Sequence, residues 1–205
     1  MKLIGMLDSP YVRRVAISAR HLGIDLEHES VSVFRHFEQF QQINPVVKAP
    51  TLVLVLDDGE VLVDSTLIID YLEALAGPSK SLMPGDLKQR LRSLRVIGLA
   101  LAACEKSVQL YYERNLRPAD IQYQPWVERV EGQLAAAYSA LERELSKQPL
   151  SGGSEIAQDG ITVAVAWSFT NLVVPDQVDA SRFPRIAQFT AEAEKLEAFV
   201  ATPIT

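Results

Sequence analysis

The stretch PTLVLVLDDGEVLVDSTLIIDYLEALAGP, residues 50–78, changes periodicity partway along, from strand-like to helix-like. Residues 51–56 are β-branched and apolar, Asp57-Asp58-Gly59 is a hairpin turn, and residues 60–63 form the returning strand. Ser65 then caps a helix that sets Leu67, Ile68, Tyr71, Leu72 and Leu75 on one face and ends at Gly77-Pro78. The expectation for this stretch is ββα.

Toward the N-terminus, residues 2–6 read as a short buried strand. Ser9-Pro10 opens a helix, because a serine at the N-cap accepts from exposed amides and a proline at the first helical position gives up no needed donor. Val12, Val15, Ala16, Ala19 and Leu22 follow at helical spacing, and Gly23 closes the helix. Residues 27–33 read as a second strand and residues 35–42 as a short polar helix. Toward the C-terminus everything reads as helix, most clearly over residues 87–112, 124–145, 161–174 and 184–200. Pro78-Ser79-Lys80-Ser81-Leu82-Met83-Pro84-Gly85 has linker composition. The expected plan is an α/β domain at 1–78, a linker at 79–86 and an all-α domain at 87–205.

Composition excludes several functions. Cys104 is the only cysteine, so no intrachain disulfide forms and a cysteine-based zinc site is ruled out. His21, His28 and His36 are scattered and make no metal constellation. A formal net charge of −6 opposes general nucleic-acid binding, which needs a basic face. The most apolar stretch, residues 161–174, is interrupted by Thr162, Ser168, Thr170 and Asn171, so no bilayer span is expected. The N-terminus carries no leader pattern, and the expected location is cytoplasmic.

Four local motifs resemble those of the glutathione transferase family. Ser9-Pro10-Tyr11-Val12-Arg13-Arg14-Val15 is similar to the S-P-F/Y-x-x-R-V segment of the serine-type, tau-like classes. Asn44-Pro45-Val46-Val47-Lys48-Ala49-Pro50-Thr51-Leu52 resembles the N-P-x-x-K-x-P-x-L signature. Asp64-Ser65 stands where the family's E/D-S pair opens a helix. Ile161-Thr162-Val163-Ala164-Val165-Ala166-Trp167 resembles the D-I-x-x-A start of the central C-terminal helix. The family's capping box before that isoleucine is missing: Ala157 and Gly160 hold its positions, and Asp159 lies one place early.

The resemblance implies a thioredoxin-like domain followed by a helical bundle, a homodimer, and glutathione as co-substrate with no metal. It assigns Ser9 to the glutathione thiol. A free thiol has a pKa near ~8.5 and is mostly protonated at neutral pH. One hydrogen bond to a charged group is worth roughly 1.5–3 kcal/mol, or about 1–2 pKa units, and the positive end of the first helix adds to it. Pro50 takes the family's cis position, which turns the main chain of Ala49 toward the cysteinyl backbone. Ser65 suits the γ-glutamyl carboxylate and Asp64 its ammonium group. Residues 1–78 hold six lysines and arginines against eleven carboxylates, so an anionic ligand depends on a few placed cations. Lys48 is the first of these and His36 the second, toward the glycyl carboxylate, while Arg14 braces the first helix. Tyr111, Tyr112, Trp167 and Phe169 stand as walls of a pocket for a small electrophile, or else as core. Conjugation is the expected reaction. A glutathione-dependent peroxidase or disulfide reductase, a zeta-type isomerase and a non-catalytic binding protein are the alternatives, and the S-S-C-x-x-R segment of the isomerase is absent.

Overall fold

Four short strands, β1 (Lys2–Ile4), β2 (Glu27–Glu29), β3 (Thr51–Leu54) and β4 (Glu60–Val63), make one sheet in the order β2-β1-β3-β4. This is a computed structural model that describes residues 1–54 and 59–204. The chain divides into two units, Met1–Leu82 with Glu197–Thr205, and Met83–Leu196.

In the first unit β1 runs parallel to β2, and the connection between them is the crossover helix α1 (Pro10–Leu22), as a parallel pair requires. β3 lies antiparallel to both β1 and β4. Two faces are covered. Leu3 and Leu52 pack with Val12 and Val15 of α1 and with Ile68 and Leu72 of α3 (Ser65–Ala76). Ile4 and Val31 pack on the opposite side with Phe40 of α2 (Phe37–Ile43). Successive strand residues face opposite sides, so Leu3 and Ile4 serve different layers.

Several sequence expectations change here. β1 stops at Ile4 because Gly5 adopts φ 135, and β2 ends at Glu29, whose carbonyl accepts from the Gly5 amide. Beyond that point β2 has no partner strand, so residues 30–33 are not strand although Val31 is buried. β3 is described to Leu54. The expected continuation to residue 56 and Asp57-Asp58 of the hairpin turn lie outside the described residues. The cap of α3 is Asp64, not Ser65: the Asp64 carboxylate accepts from the Thr66 amide at 2.9 Å, and Ser65 is the first helical residue. On α3 the buried positions are Ile68, Ile69 and Leu72, whereas Leu67 and Leu75 are more than half exposed. The last expected helix is two, α7 (Pro184–Ala193) and α8 (Glu197–Val200), which belong to different units. Within the first unit, Arg13 on α1 donates from Nε to the Thr202 carbonyl at 2.8 Å, and its guanidinium lies 5.6 Å from the Phe199 ring centroid.

The second unit is helical: α4 (Leu87–Asn115), α5 (Gln124–Lys147), α6 (Gln158–Val173) and α7. α4 packs against α5 and α6, and α6 against α7. α6 is buried nearly all round and starts without a side-chain N-cap at Ala157. Asp159 takes over: its carboxylate accepts from the Gly160 amide and from Ser93 Oγ of α4, both at 2.8 Å. Deeper in, Tyr138, Thr170 and Ser107 join their hydroxyls (2.6 and 2.8 Å), and burial pushes the Tyr138 hydroxyl far above an ordinary phenol. No helix among the described residues is long and apolar enough to cross a membrane.

Candidate functional site

Ser9 stands at the N-cap of α1 in extended conformation (φ −69°, ψ 123°). Its hydroxyl oxygen accepts from the Val12 amide at 3.4 Å, a long bond, and a hydroxyl that accepts still has its own proton to donate. Pro10 follows at the first helical position, and the Ser9 carbonyl takes the Arg13 amide at 2.9 Å, so the start of the helix is fixed on both sides of the hydroxyl. A group placed before it meets both an O–H donor and the positive end of a thirteen-residue helix.

The signature loop lies beside β1. The Ala49–Pro50 peptide is cis, and a Cβ built on Gly5 would come within 3.1 Å of Ala49 Cβ and 2.6 Å of Val12 Cγ2. The end of β1, the first turn of α1 and Ala49 therefore meet at one point, and only a glycine fits between them. Asn44 is buried and ties the loop, with Nδ2 donating to Thr51 Oγ1 at 3.0 Å and Oδ1 accepting from the Val46 amide at 3.0 Å. Lys48 extends from the loop to Asp64, Nζ to Oδ2 at 3.4 Å, with both side chains about half exposed.

Asp64 adopts φ 75°, ψ 125°, a conformation that costs a side-chain-bearing residue about 1–3 kcal/mol and that concentrates at functional sites. Burial opposes its charge, but the Thr66 amide, the Lys48 ammonium and the Arg14 guanidinium outweigh it and hold the carboxyl below its ordinary range. Ser65 beside it is buried at the N-terminus of α3. Lys48, Asp64 and Ser65 thus form one cluster of a cation, an anion and a hydroxyl on helix amides.

Arg14 does more than brace its own helix. It is buried, and its Nη1 donates to Ser65 Oγ at 3.1 Å and to Thr66 Oγ1 at 3.2 Å. The structure turns His36 toward Ser32, whose amide donates to its Nδ1 at 3.3 Å. The neighbouring Arg35 reaches back to Met6 Sδ at 3.4 Å, close before Ser9. Arg35 was visible in the sequence only as one of six cations in this domain, with nothing to rank it above His36. Asp8, also beside Ser9, is pushed up by burial, against the pull of the Ser9 amide and the Arg35 charge.

Of the four aromatic residues named as pocket walls, two are core. Trp167 meets Tyr138 edge-on at 5.3 Å and Phe183 at 6.1 Å, and Phe169 is buried with it. Tyr111 is half-buried and Tyr112 exposed near the end of α4, with ring centroids 6.3 Å apart. Among the described residues no group of three histidine, cysteine, aspartate or glutamate side chains could hold a metal ion.

A family model described as "Glutathione S-transferase, N-terminal domain" matches residues 3–80, which span the sheet, α1, α2 and α3. An uncharacterised GST-like protein of Escherichia coli, YibF, is 34% identical over 100 residues, 49% of this chain and about half of that relative (48%). Glutathione S-transferase theta-2 of Rattus norvegicus is 30% identical over 197 residues, covering 94% of this chain and 78% of the relative. Among solved structures, a glutathione transferase family member from Pseudomonas fluorescens Pf-5 with bound glutathione superposes with a TM-score of 0.82 at 26% identity, over 100% of this chain and 98% of that one. The likeness runs through both the sheet-bearing part and the helical part, and the chain belongs to the glutathione S-transferase family.

Proposed function

We propose that this protein is a serine-type glutathione transferase that joins the thiolate of glutathione to an electrophilic carbon of a small hydrophobic molecule. The single observation that carries this reading is Ser9, a hydroxyl with its proton free to donate, at the N-terminus of a helix and in the same unit as the Lys48–Asp64–Ser65 cluster. Glutathione offers an anionic sulfur at one end and a carboxylate with an ammonium group at the other. The site offers a donor for the first and a serine, helix amides and a carboxylate for the second.

In this reading Ser9 Oγ–H donates to the sulfur and the α1 dipole stabilises its charge. The thiol proton leaves to solvent, the sulfur lone pair forms the new S–C bond, and the leaving group departs with its electron pair. The Ala49 main chain pairs with the cysteinyl backbone, next to Pro50. Ser65 and the α3 amides take the γ-glutamyl carboxylate, and Asp64 its ammonium. For the glycyl carboxylate, Lys48 remains in place, and Arg35 is better presented than His36, because the His36 Nδ1 is already accepting from Ser32. No metal takes part. A cytoplasmic, detoxifying role follows from this chemistry.

The working unit in this proposal is a homodimer. Leu87, Leu91 and Leu94 repeat at helical spacing on α4 and are 81%, 69% and 51% exposed, and Leu67 and Leu75 are exposed on α3. A second copy of the chain covers such surfaces at low cost.

The test is a glutathione titration of the wild type and Ser9→Ala, following thiolate absorbance and conjugation of a chloronitrobenzene acceptor. Binding, thiol ionisation and conjugation by the wild type support the proposal. Binding without conjugation shifts the reaction to peroxide or disulfide substrates, and absence of binding removes the enzyme reading altogether.

A further inference from the structure

Arg14 lies five residues along α1 from Ser9, only 2% exposed, and the direction of its guanidinium is set by two hydroxyls of a different element. Nη1 donates to Ser65 Oγ and Thr66 Oγ1 at 3.1 and 3.2 Å. A guanidinium has donors and no acceptor, and it stays protonated at any working pH. The polarity of both bonds is therefore fixed: each hydroxyl oxygen accepts from Arg14, and neither can point its proton back along that line.

This constraint matters at Ser65. A serine hydroxyl has one proton and two lone pairs, and left to itself it can turn that proton toward any nearby acceptor. With one lone pair occupied by a buried cation, the proton is kept for a partner elsewhere. The same charge acts on Asp64, whose carboxyl is held down partly by Arg14. Asp64 is further held by the Thr66 amide at 2.9 Å, so both residues that open α3 are oriented in part from α1.

We infer that Arg14 is a positioning residue for the carboxylate-binding end of the site, holding the Ser65 hydroxyl as a donor to an anionic ligand group. The inference rests on the proposed glutathione site and adds to it a residue that touches no ligand atom. Ser9 and Arg14 lie on one rigid helix, so the donor to the sulfur and the residue that orients the donor to the carboxylate are placed by the same element. Lysine is an incomplete replacement, since it keeps the charge but lacks the planar fork that reaches two oxygens from a fixed stem.

The experiment compares two probes on wild type, Arg14→Met and Arg14→Lys: glutathione itself, and the analogue lacking the γ-glutamyl α-carboxylate, 4-aminobutanoyl-cysteinyl-glycine. Isothermal titration gives the affinities, and thiolate absorbance gives the pKa of the bound thiol. Arg14→Met is expected to weaken glutathione by roughly ten- to a hundredfold, as loss of a hydrogen bond to a charged group does. The analogue is expected to change less than about threefold, with the bound-thiol pKa unmoved and Arg14→Lys falling between. In a Ser65→Ala background the Arg14→Met effect on glutathione should shrink, because the hydroxyl it orients is gone. Equal weakening of both probes, or none, overturns the positioning role while leaving the glutathione site standing. Failure of the wild type to bind glutathione overturns both. If Arg14→Met does not fold, as its melting curve will show, Arg14→Lys and the Ser65→Ala cycle decide between the same outcomes.

Discussion

At Ser9 one hydroxyl is asked to do two things, and its geometry permits both. It accepts from Val12 N–H at 3.4 Å and keeps its proton for a sulfur. Ser9→Ala is expected to raise the pKa of bound glutathione by about 1–2 units and lower kcat/KM by roughly ten- to a hundredfold, with affinity nearly unchanged. A spectrophotometric thiolate titration checks this, and an unshifted pKa would remove Ser9 from the chemistry. The two aspartates nearby carry opposite pH signatures. Asp64 is held below its ordinary 3.8, so the stability it adds is complete at neutral pH and is lost as pH falls through 3.8 and then through the lower native value. Asp8 is held above 3.8 by burial, so its charge costs stability at neutral pH and that cost disappears in acid. Thermal melts of Asp64→Asn and Asp8→Asn should therefore move in opposite directions near neutral pH, down and up, and both differences should shrink at about pH 3. Shifts of the same sign would contradict this assignment.

Among the elements, the junction of β1, α1 and the Ala49 loop is the least tolerant. Gly5 has φ 135°, and an added Cβ would meet Val12 Cγ2 at 2.6 Å and Ala49 Cβ at 3.1 Å. Strain and overpacking act together, so Gly5→Ala should cost about 2–4 kcal/mol and lower Tm by roughly 5–15 °C. Calorimetry measures it, and a change within a degree or two would mean that this junction relaxes freely. The helix starts show how much of an element is local. Ser9, Pro10 and Gly23 mark α1 from sequence alone because caps act over three or four residues. The α3 cap misread by one place, because Asp64 and Ser65 are both good caps and only the φ of 75° at Asp64 selects between them. The unusual start of α6 was half legible. Asp159 was visible as a substitute cap, but its second partner, Ser93, is 66 residues away.

Across the whole molecule, the exposed leucines on α4 carry the expectation of assembly. Leu91→Arg places a charge in the middle of the Leu87–Leu91–Leu94 stripe, where an interface between copies would have to desolvate it. Sedimentation should show wild type as a dimer and Leu91→Arg as a folded monomer at micromolar concentration. A wild type that sediments as a monomer, or a variant that stays dimeric, would locate any interface elsewhere. The same scale explains Leu67 and Leu75. Helical periodicity placed them with Ile68 and Leu72, but the sheet is narrow and its surface takes only the stripe containing Ile68, Ile69 and Leu72.

The sequence by itself determined the order of elements, the place of the helix starts, the division into an α/β part and a helical part, and the four motifs that point to glutathione. These rest on interactions within a few residues or on the period of apolar side chains, and both can be read along the chain. Tertiary structure alone decided where β2 ends, since that depends on Gly5 of a different strand, and that Trp167 is core. It also decided that Arg35 and not His36 turns toward Met6, that Arg14 reaches Ser65 across 51 residues, and that Arg13 holds Thr202 across 189. A long cationic side chain finds its acceptor by distance in space, and that distance exists only once the chain has folded.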